Sequence, residues 1–444
     1  MAMTRIIGRP QWHVGLAGLS AVGVTFGFAR YGYGLYLPEF RREFGLSVAT
    51  VGLIGSASYI GFVVALLLVG TLVARFGPRA MVIMGGGCAT AGMGLVTVAR
   101  DPAALTTGLV LAGMSSGWVW APYSDVVDRV IPRNRRERVM AVIATGTAFG
   151  VVVAGPLALF LRNSHWRHAW SVFAVAALAA TVYNALVLPG GSHHAAPHGA
   201  RGRSEAGRAG SGAGRGWFLR RRAVPLYLTA VSYGLVGAVY WAYAIEAITD
   251  ETGSGSATAP LFWTLMGLAG TAGALTGHAI TRHGLRRTHI GLFTGLAVAV
   301  ALLGTAPGSL PAVAASAVLY GPCFMAGSAL LAVWSYYTFP EKPSTGFTAT
   351  ILFVGLGTIT GPATLGALAD SHGLRAAFLV TALVAATTLL VRPGSWLGPR
   401  SGTGQGPERV RPRIRPPRAG SSEPARRGSR PSSPRKLTRP DAPG

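Results

Sequence analysis

The sequence predicts an all-α membrane protein with twelve transmembrane helices in two six-helix pseudo-symmetric halves. Three observations predict it. Of 444 residues, 50% are apolar and only 12% charged, with a mean hydropathy of +0.42. A soluble domain carries about 25% charged residues, so this chain lacks the charge to cover a water-soluble body of its size. Twelve apolar stretches are long enough, or nearly so, to cross a hydrocarbon core about 30 Å thick as helices. The chain also repeats itself at an offset near 207 residues.

The stretches are 14–37, 49–73, 80–99, 103–124, 139–161, 169–188, 224–246, 259–281, 289–306, 311–337, 347–368 and 376–391. Arg5 and Arg9 precede the first, as they would a cleaved signal, but that run is too long, contains Arg30 and lacks a small-x-small cleavage site. Arginine placement sets the orientation. With the N-terminus in the cytoplasm, cytoplasmic segments collect 33 Lys+Arg and outer loops 6. Without the two most basic stretches the bias is still 14 to 6. A multi-pass protein of the cytoplasmic (inner) membrane with both termini cytoplasmic is therefore expected.

The repeat has three parts in register. Tyr33-x-x-Tyr36-x-x-Glu39 recurs as Tyr240-x-x-Tyr243-x-x-Glu246. Gly70-Thr-Leu-Val-Ala-Arg75-Phe-Gly77-Pro-Arg79 recurs as Gly277-His-Ala-Ile-Thr-Arg282-His-Gly284-Leu-Arg286. Gly155-Pro156 recurs as Gly361-Pro362. The expected divisions are a cytoplasmic arm at 1–13, a first half at 14–189, a flexible linker at 190–222, a second half at 223–392 and a tail at 393–444.

A net charge of +25 would suit a nucleic-acid binder, but 15 of those charges lie in 190–222 and 393–444. Both stretches are rich in Gly, Pro, Ser and Arg, too apolar-poor to offset chain entropy by burial, and expected to be disordered. They suit anionic lipid beside the membrane rather than nucleic acid.

Lys342 and Lys436 are the only lysines and neither follows a glycine-rich loop, so no Walker-type phosphate loop exists. Cys88 and Cys323 give no disulfide framework or metal spacing. His193, His194 and His198 fall in the linker and are read as solvated. Gly113-Met-Ser115-Ser-Gly117 matches a nucleophile-elbow pattern, but that chemistry needs a strand–turn–helix and this run is apolar helix. No catalytic residue, metal or cofactor is expected, and the chain is not read as an enzyme. It is expected to be a monomer.

The halves, the basic central loop and the G-x-L-x-x-R-x-G-x-R turn together resemble the major facilitator superfamily over about 14–391. Gly27-Phe-Ala-Arg30-Tyr-Gly-Tyr-Gly-Leu-Tyr-Leu-Pro38, followed by Phe44-Gly-Leu-Ser47, is most similar to its bacterial YbfB/YjiJ-like branch. The resemblance implies secondary active transport, with a small solute bound between two rocking halves. It implies gating loops at Gly70, Arg75, Gly77 and Arg79 and at Gly277, Arg282, Gly284 and Arg286. The acid that usually helps latch the cytoplasmic gate is replaced by Ala74, and Thr281 stands at the equivalent place. Gly150 to Pro156 resembles the fifth-helix motif of proton-coupled exporters without its later glycines, and a Gly/Pro kink for close helix packing is the alternative. The fourth span has Leu109 where many members carry an arginine.

Arg30 is the sharpest candidate. An arginine near a bilayer centre costs about 2.5–3.5 kcal/mol, which selects for a cavity or a partner. Phe26, Arg30 and Tyr33 are spaced to share one helix face. The alternative is an arginine bonded to carbonyls of a neighbouring helix. Glu246 is the best acid for proton coupling, its alternative being an interfacial carboxylate in water. Trp118, Tyr233, Tyr240 and Phe324 fall where the superfamily lines its cavity, though such residues also fill bundles. The expected function is proton-coupled efflux of a small solute. Import or facilitated passage of a small organic anion is the second reading, and a non-transporting membrane sensor the third.

Overall fold

The computed structural model describes residues 12–161, 165–189, 220–253 and 257–393. These form helices joined by short turns, with no strand among the described residues. The first span starts as Trp12–Val22, widens into a π-helix over Gly23–Arg30, and continues through Gly32–Leu35 to the short helix Leu37–Phe44. Gly45, at φ +61°, ends it. Ser47 then caps the next helix by accepting the Thr50 N–H at 3.1 Å.

That next helix, Val48–Val98, has 51 residues. At 1.5 Å per residue it would be about 75 Å long, more than twice a hydrocarbon core. Gly77 breaks it, at φ +78° and ψ 164°, a backbone conformation essentially reserved for glycine. The helix Pro102–Val130, capped by Asp101, shows that the two arms run in opposite directions. Ser58 donates to the Leu109 carbonyl at 3.0 Å and Phe62 abuts Gly117, so the first arm runs with it. Gly85 abuts Val119 and Gly92 abuts Ala112, so the second runs against it.

Two other long helical runs fold back in the same way. Gly284, at φ +79°, divides Thr276–Thr305. Before it Gly273 abuts Met325, and after it Ser316 donates to the Ala299 carbonyl at 2.7 Å, both against Leu310–Thr338. Gly373, at φ +83°, divides Pro343–Thr387. Gly357 abuts Val231 before it and Phe378 meets Tyr240 after it, both against Val224–Thr252. Thr258–Gly270 leads through the short turn of helix Thr271–Leu275 into the arm before Gly284. With Arg133–Ala144 running into Gly146–Phe160, and Trp166–Val187, the described helices are consistent with the expected twelve spans.

Between lipid-immersed helices there is little hydrophobic drive, so close packing of small residues holds them together. Gly27 of span one meets Gly150 of span five, with no room for a Cβ on either. At the same offset of 207, Gly234 of span seven packs on Val354, and Gly357 of span eleven on Val231. The halves thus cross their first and fifth helices alike. Large apolar side chains face outward, among them Phe160 at 85% and Leu390 at 80% exposure, as a lipid-facing belt requires. The linker and tail expected at 190–222 and 393–444 lie outside the described residues, apart from Arg220–Arg222 and Pro393.

Candidate functional site

The π-helix sets the site. Its wide turn is closed by the Tyr31 N–H donating to the Phe26 carbonyl, five residues back, at 3.1 Å. It falls where Gly23 and Gly27 press on Gly146 and Gly150, and it ends on Arg30. The guanidinium carbon lies 4.0 Å from the Phe62 ring centre, 4.9 Å from Tyr59, 5.6 Å from Phe26 and 5.8 Å from Tyr31. One terminal N–H points to Ser116 Oγ at 3.4 Å, and Nε is buried with no partner. Among the described residues Arg30 makes no ion pair. Each cation–π contact contributes about 0.5–2 kcal/mol, so four together offset the burial cost without neutralising the charge. Aromatic faces, rather than carbonyls of a neighbouring helix, hold this arginine.

Arg30 lines a cleft with Tyr33, Gly34, Gly55, Ser58, Tyr59, Trp241 and Ala242. These come from spans one, two and seven, so the cleft lies where the two halves meet. Gly34 lets span one cross against the Trp241 carbonyl. Tyr31 stacks on Trp241 at 4.1 Å across the junction. From there the aromatic wall continues through Phe324, 5.7 Å from Trp241, to Tyr233, stacked on Phe324 at 4.9 Å.

The structure therefore gathers Arg30, Phe26 and Tyr33, and reaches Tyr233 and Phe324 through the aromatic wall. The expected single helical face is built differently. Phe26 stays on Arg30 across the π-turn, whereas Tyr33 follows the break and donates its hydroxyl to the Val51 carbonyl at 2.6 Å. Trp118 and Tyr240 lie elsewhere. Trp118 packs with Ala65, Val69, Val73 and Met81 inside the first half. Tyr240 stacks on Tyr320 at 3.5 Å and bonds Ser316, inside the second. Tyr31, Tyr59, Phe62 and Trp241 were not singled out by sequence. Their only signal is aromatic spacing, Tyr59-x-x-Phe62, which core aromatics share.

Glu246 stands apart from Arg30. It is 3% exposed, not a water-facing carboxylate, and is ion-paired with Arg41 of the other half. Beside it the Tyr243 hydroxyl donates to the Pro362 carbonyl at 2.9 Å, with the Val48 carbonyl at 3.3 Å. Spans one, two, seven and eleven are thus tied together at the Glu246 end. Two further ion pairs at this end repeat at an offset of 208: Arg167–Glu43 at 2.5 Å and Arg375–Glu251 at 2.6 Å. Burial raises the Glu43 carboxyl, but hydrogen bonds from Arg167 and Trp166 and the nearby charges outweigh it and hold it below the usual carboxylate range.

Contacts between halves cluster from mid-span to this end: Gly52 against Pro362, Gly155 against Pro260, Gly355 against Val63 and Gly366 against Val48. At the opposite end Gly70 and Gly277 have nothing within 4 Å of where a side chain would begin. Gly77 and Gly284 make the turns there, and Arg79 donates to the Ala185 carbonyl at 2.6 Å. Arg75, Arg282 and Arg286 are exposed, as are Ala74 and Thr281. Helices continue through Pro156 and Pro362. Their glycines serve close approach, Gly155 to Pro260 and Gly361 to Leu235. A third turn of the same type, Gly366-x-x-x-Asp370-x-x-Gly373-x-Arg375, lies at the Glu246 end and carries the acid the other two lack. Its spacing was legible in the sequence and was missed.

A family model described as "Uncharacterised MFS-type transporter YbfB" matches residues 22–392. The chain belongs to that family. It is a multi-pass membrane protein, a major facilitator superfamily transporter of small solutes. The transporter is 27% identical to the "Transcription regulatory protein OpdE" of Pseudomonas aeruginosa, over 66% of this chain and 72% of that one. It is 28% identical to "Monocarboxylate transporter 11" of Homo sapiens, over 40% of this chain and only 38% of the human one. Among solved structures it is similar to a D-xylose–proton symporter, at a TM-score of 0.68 and 15% identity, over 86% of this chain and 97% of that one. That likeness concerns the fold alone.

Proposed function

We propose that this transporter is a secondary active carrier of a small organic carboxylate, bound at Arg30 between the halves and driven by a proton gradient. The observation that supports it is an arginine inside the bundle, at the junction of the halves, with no ion pair among the described residues and a free N–H. A fixed partner would occupy such a charge, whereas an arriving carboxylate completes it. The printed name of the human relative, a monocarboxylate transporter, agrees with this. Efflux is the alternative direction, carried by the likeness of Gly150 to Pro156 to an exporters' fifth-helix motif, whose Gly150 and Gly155 pack against Gly27 and Pro260. Glu246, paired across the halves with Arg41, is the proposed site of proton coupling.

With both termini in the cytoplasm, as the arginine bias favours, the Glu246 end, where the halves are joined, faces outward. The test is uptake of a panel of radiolabelled carboxylates into proteoliposomes, with and without an imposed pH gradient. Uptake that follows the gradient in wild type and disappears in Arg30→Ala is expected. Flux of neutral solutes only, or flux unchanged in Arg30→Ala, overturns the reading. The printed name of OpdE favours a second reading, a sensor without transport. Saturable binding with no flux of any bound solute would select it.

A further inference from the structure

We propose that the solute is a planar, ring-bearing monocarboxylate, its carboxylate held jointly by Arg30 of the first half and the Trp241 indole N–H of the second. This rests on the reading of Arg30 as the anion site. Two buried donors lack an acceptor here, Arg30 Nε and Trp241 Nε1, and both residues line the same cleft. A carboxylate has two oxygens with about four lone-pair sites, enough to serve a guanidinium and an indole together. An unmet buried donor is costly, so a ligand that satisfies both is strongly selected.

The rest of the lining specifies what the carboxylate is attached to. The Tyr33 hydroxyl is committed to the Val51 carbonyl at 2.6 Å, and that of Ser58 to the Leu109 carbonyl at 3.0 Å. Among the described residues no second cation lines the cleft to read a second carboxylate. A sugar or a dicarboxylate would lose its hydration without replacement. The remaining walls are the aromatic residues Tyr59 and Trp241, with Gly34, Gly55 and Ala242 contributing almost no side chain between them. Aromatic faces of this kind take a flat apolar ring against them by stacking. Tyr31, stacked on Trp241 at 4.1 Å and 21°, fixes the indole in place. Because the donors come from different halves, a bound ring carboxylate ties the halves together at mid-membrane, whereas an anion held by Arg30 alone would not.

The test uses the purified full-length protein and four probes: benzoate, cyclohexanecarboxylate, propionate and benzyl alcohol. Binding is read by calorimetry and by the ligand-induced shift in melting temperature. Wild type should bind benzoate at least tenfold more tightly than cyclohexanecarboxylate or propionate, and should not respond to benzyl alcohol. Trp241→Phe keeps a ring on Tyr31 and loses the N–H. It should weaken benzoate fivefold or more while still preferring it to cyclohexanecarboxylate. Trp241→Leu should lose that preference too. If it fails to fold, Trp241→Phe still decides the donor role. Arg30→Ala should bind none of the acids. Equal binding of propionate and benzoate in wild type, lost in Arg30→Ala, would sink the ring inference and leave the anion site standing. No binding of any acid in wild type, or unchanged binding in Arg30→Ala, would remove the anion site itself. Wild-type benzoate affinity in Trp241→Phe would show the indole N–H plays no part.

Discussion

At the scale of single residues, the guanidinium of Arg30 does what a lysine could not. Its planar face lies 4.0 Å from Phe62 while its edge keeps a free N–H, and an ammonium cannot offer a fork and a stacking face at once. Arg30→Lys should therefore keep the protein folded and weaken carboxylate uptake, and Arg30→Ala should abolish it. A charge-assisted hydrogen bond contributes about 1.5–3 kcal/mol, which corresponds to a loss of roughly ten- to 150-fold in affinity. Normal uptake by Arg30→Ala would contradict this, as would loss explained wholly by degradation in a membrane immunoblot. Glu43 is a different kind of charge, holding span six to span one through Arg167 and Trp166. Its carboxyl is depressed in the folded state, so its contribution is fully present above its unfolded value near pH 4.3 and is lost as pH falls through the lower folded value. Melting curves of Glu43→Gln should lose part of the wild-type decline on the acid side of that range. Parallel curves for the two proteins would contradict it.

At the scale of elements, the three sharp turns depend on glycine. Gly77, Gly284 and Gly373 share φ near +80° and ψ near 160°. A side chain there strains the backbone by about 1–3 kcal/mol. Gly77→Ala and Gly284→Ala should each lower the melting temperature of the detergent-purified protein, while Gly87→Ala, in open space on a regular helix, should not. Equal melting of all three would refute the assignment. This scale is also where the sequence was most legible. Apolar length and the repeat around Gly70 and Gly277 made the helical membrane fold readable, because such features depend on composition over about 20 residues. The site was legible only where a residue broke the pattern. Arg30 was conspicuous as a charge in an apolar run. Tyr59, Phe62 and Trp241 were not, because aromatic residues are ordinary in a bundle and only the fold brings Phe62 under Arg30 and the other two to its cleft. Trp118 and Tyr240 illustrate the converse, since suitable residue types on suitable helices still pointed into their own halves.

At the scale of the whole molecule, the halves are fastened at one end by Arg41–Glu246 and by Tyr243, and Gly70 and Gly277 are uncovered at the other. Glu246→Gln should loosen the fastened end and shift the population toward opening there. A coupling of about 1–3 kcal/mol would change the ratio of states roughly five- to 150-fold. Cysteines in a background lacking Cys88 and Cys323 report it. Arg42→Cys should label with an impermeant thiol reagent in intact cells and Ala74→Cys should not, which also tests the orientation. Ser58→Cys, in the cleft, should gain labelling from outside only when Glu246→Gln is added. Labelling of Ala74→Cys from outside would reverse the topology, and an unresponsive Ser58→Cys would deny Glu246 its fastening role.

The wide turn over Gly23–Arg30 has a consequence for which chain lengths the first helix tolerates. Each hydrogen bond there spans one residue more than in an α-helix, so the turn acts as a phase shifter between two parts of one rod. Below it Gly18 is locked against Ile143 and Tyr123, and above it Gly34 is locked against Trp241. Removing one residue between those locks would rotate one part against the other by about 100° if the wide turn persisted. If the turn closed to an α-turn, it would take up the loss by abolishing the widening that carries Arg30. Either Arg30 would leave the cleft or the lower part would lose its seat. Single-codon deletions across 19–29 should therefore inactivate the protein even where each substitution at the same positions is tolerated. The spacing of this segment, more than its composition, keeps the arginine aimed at the seam.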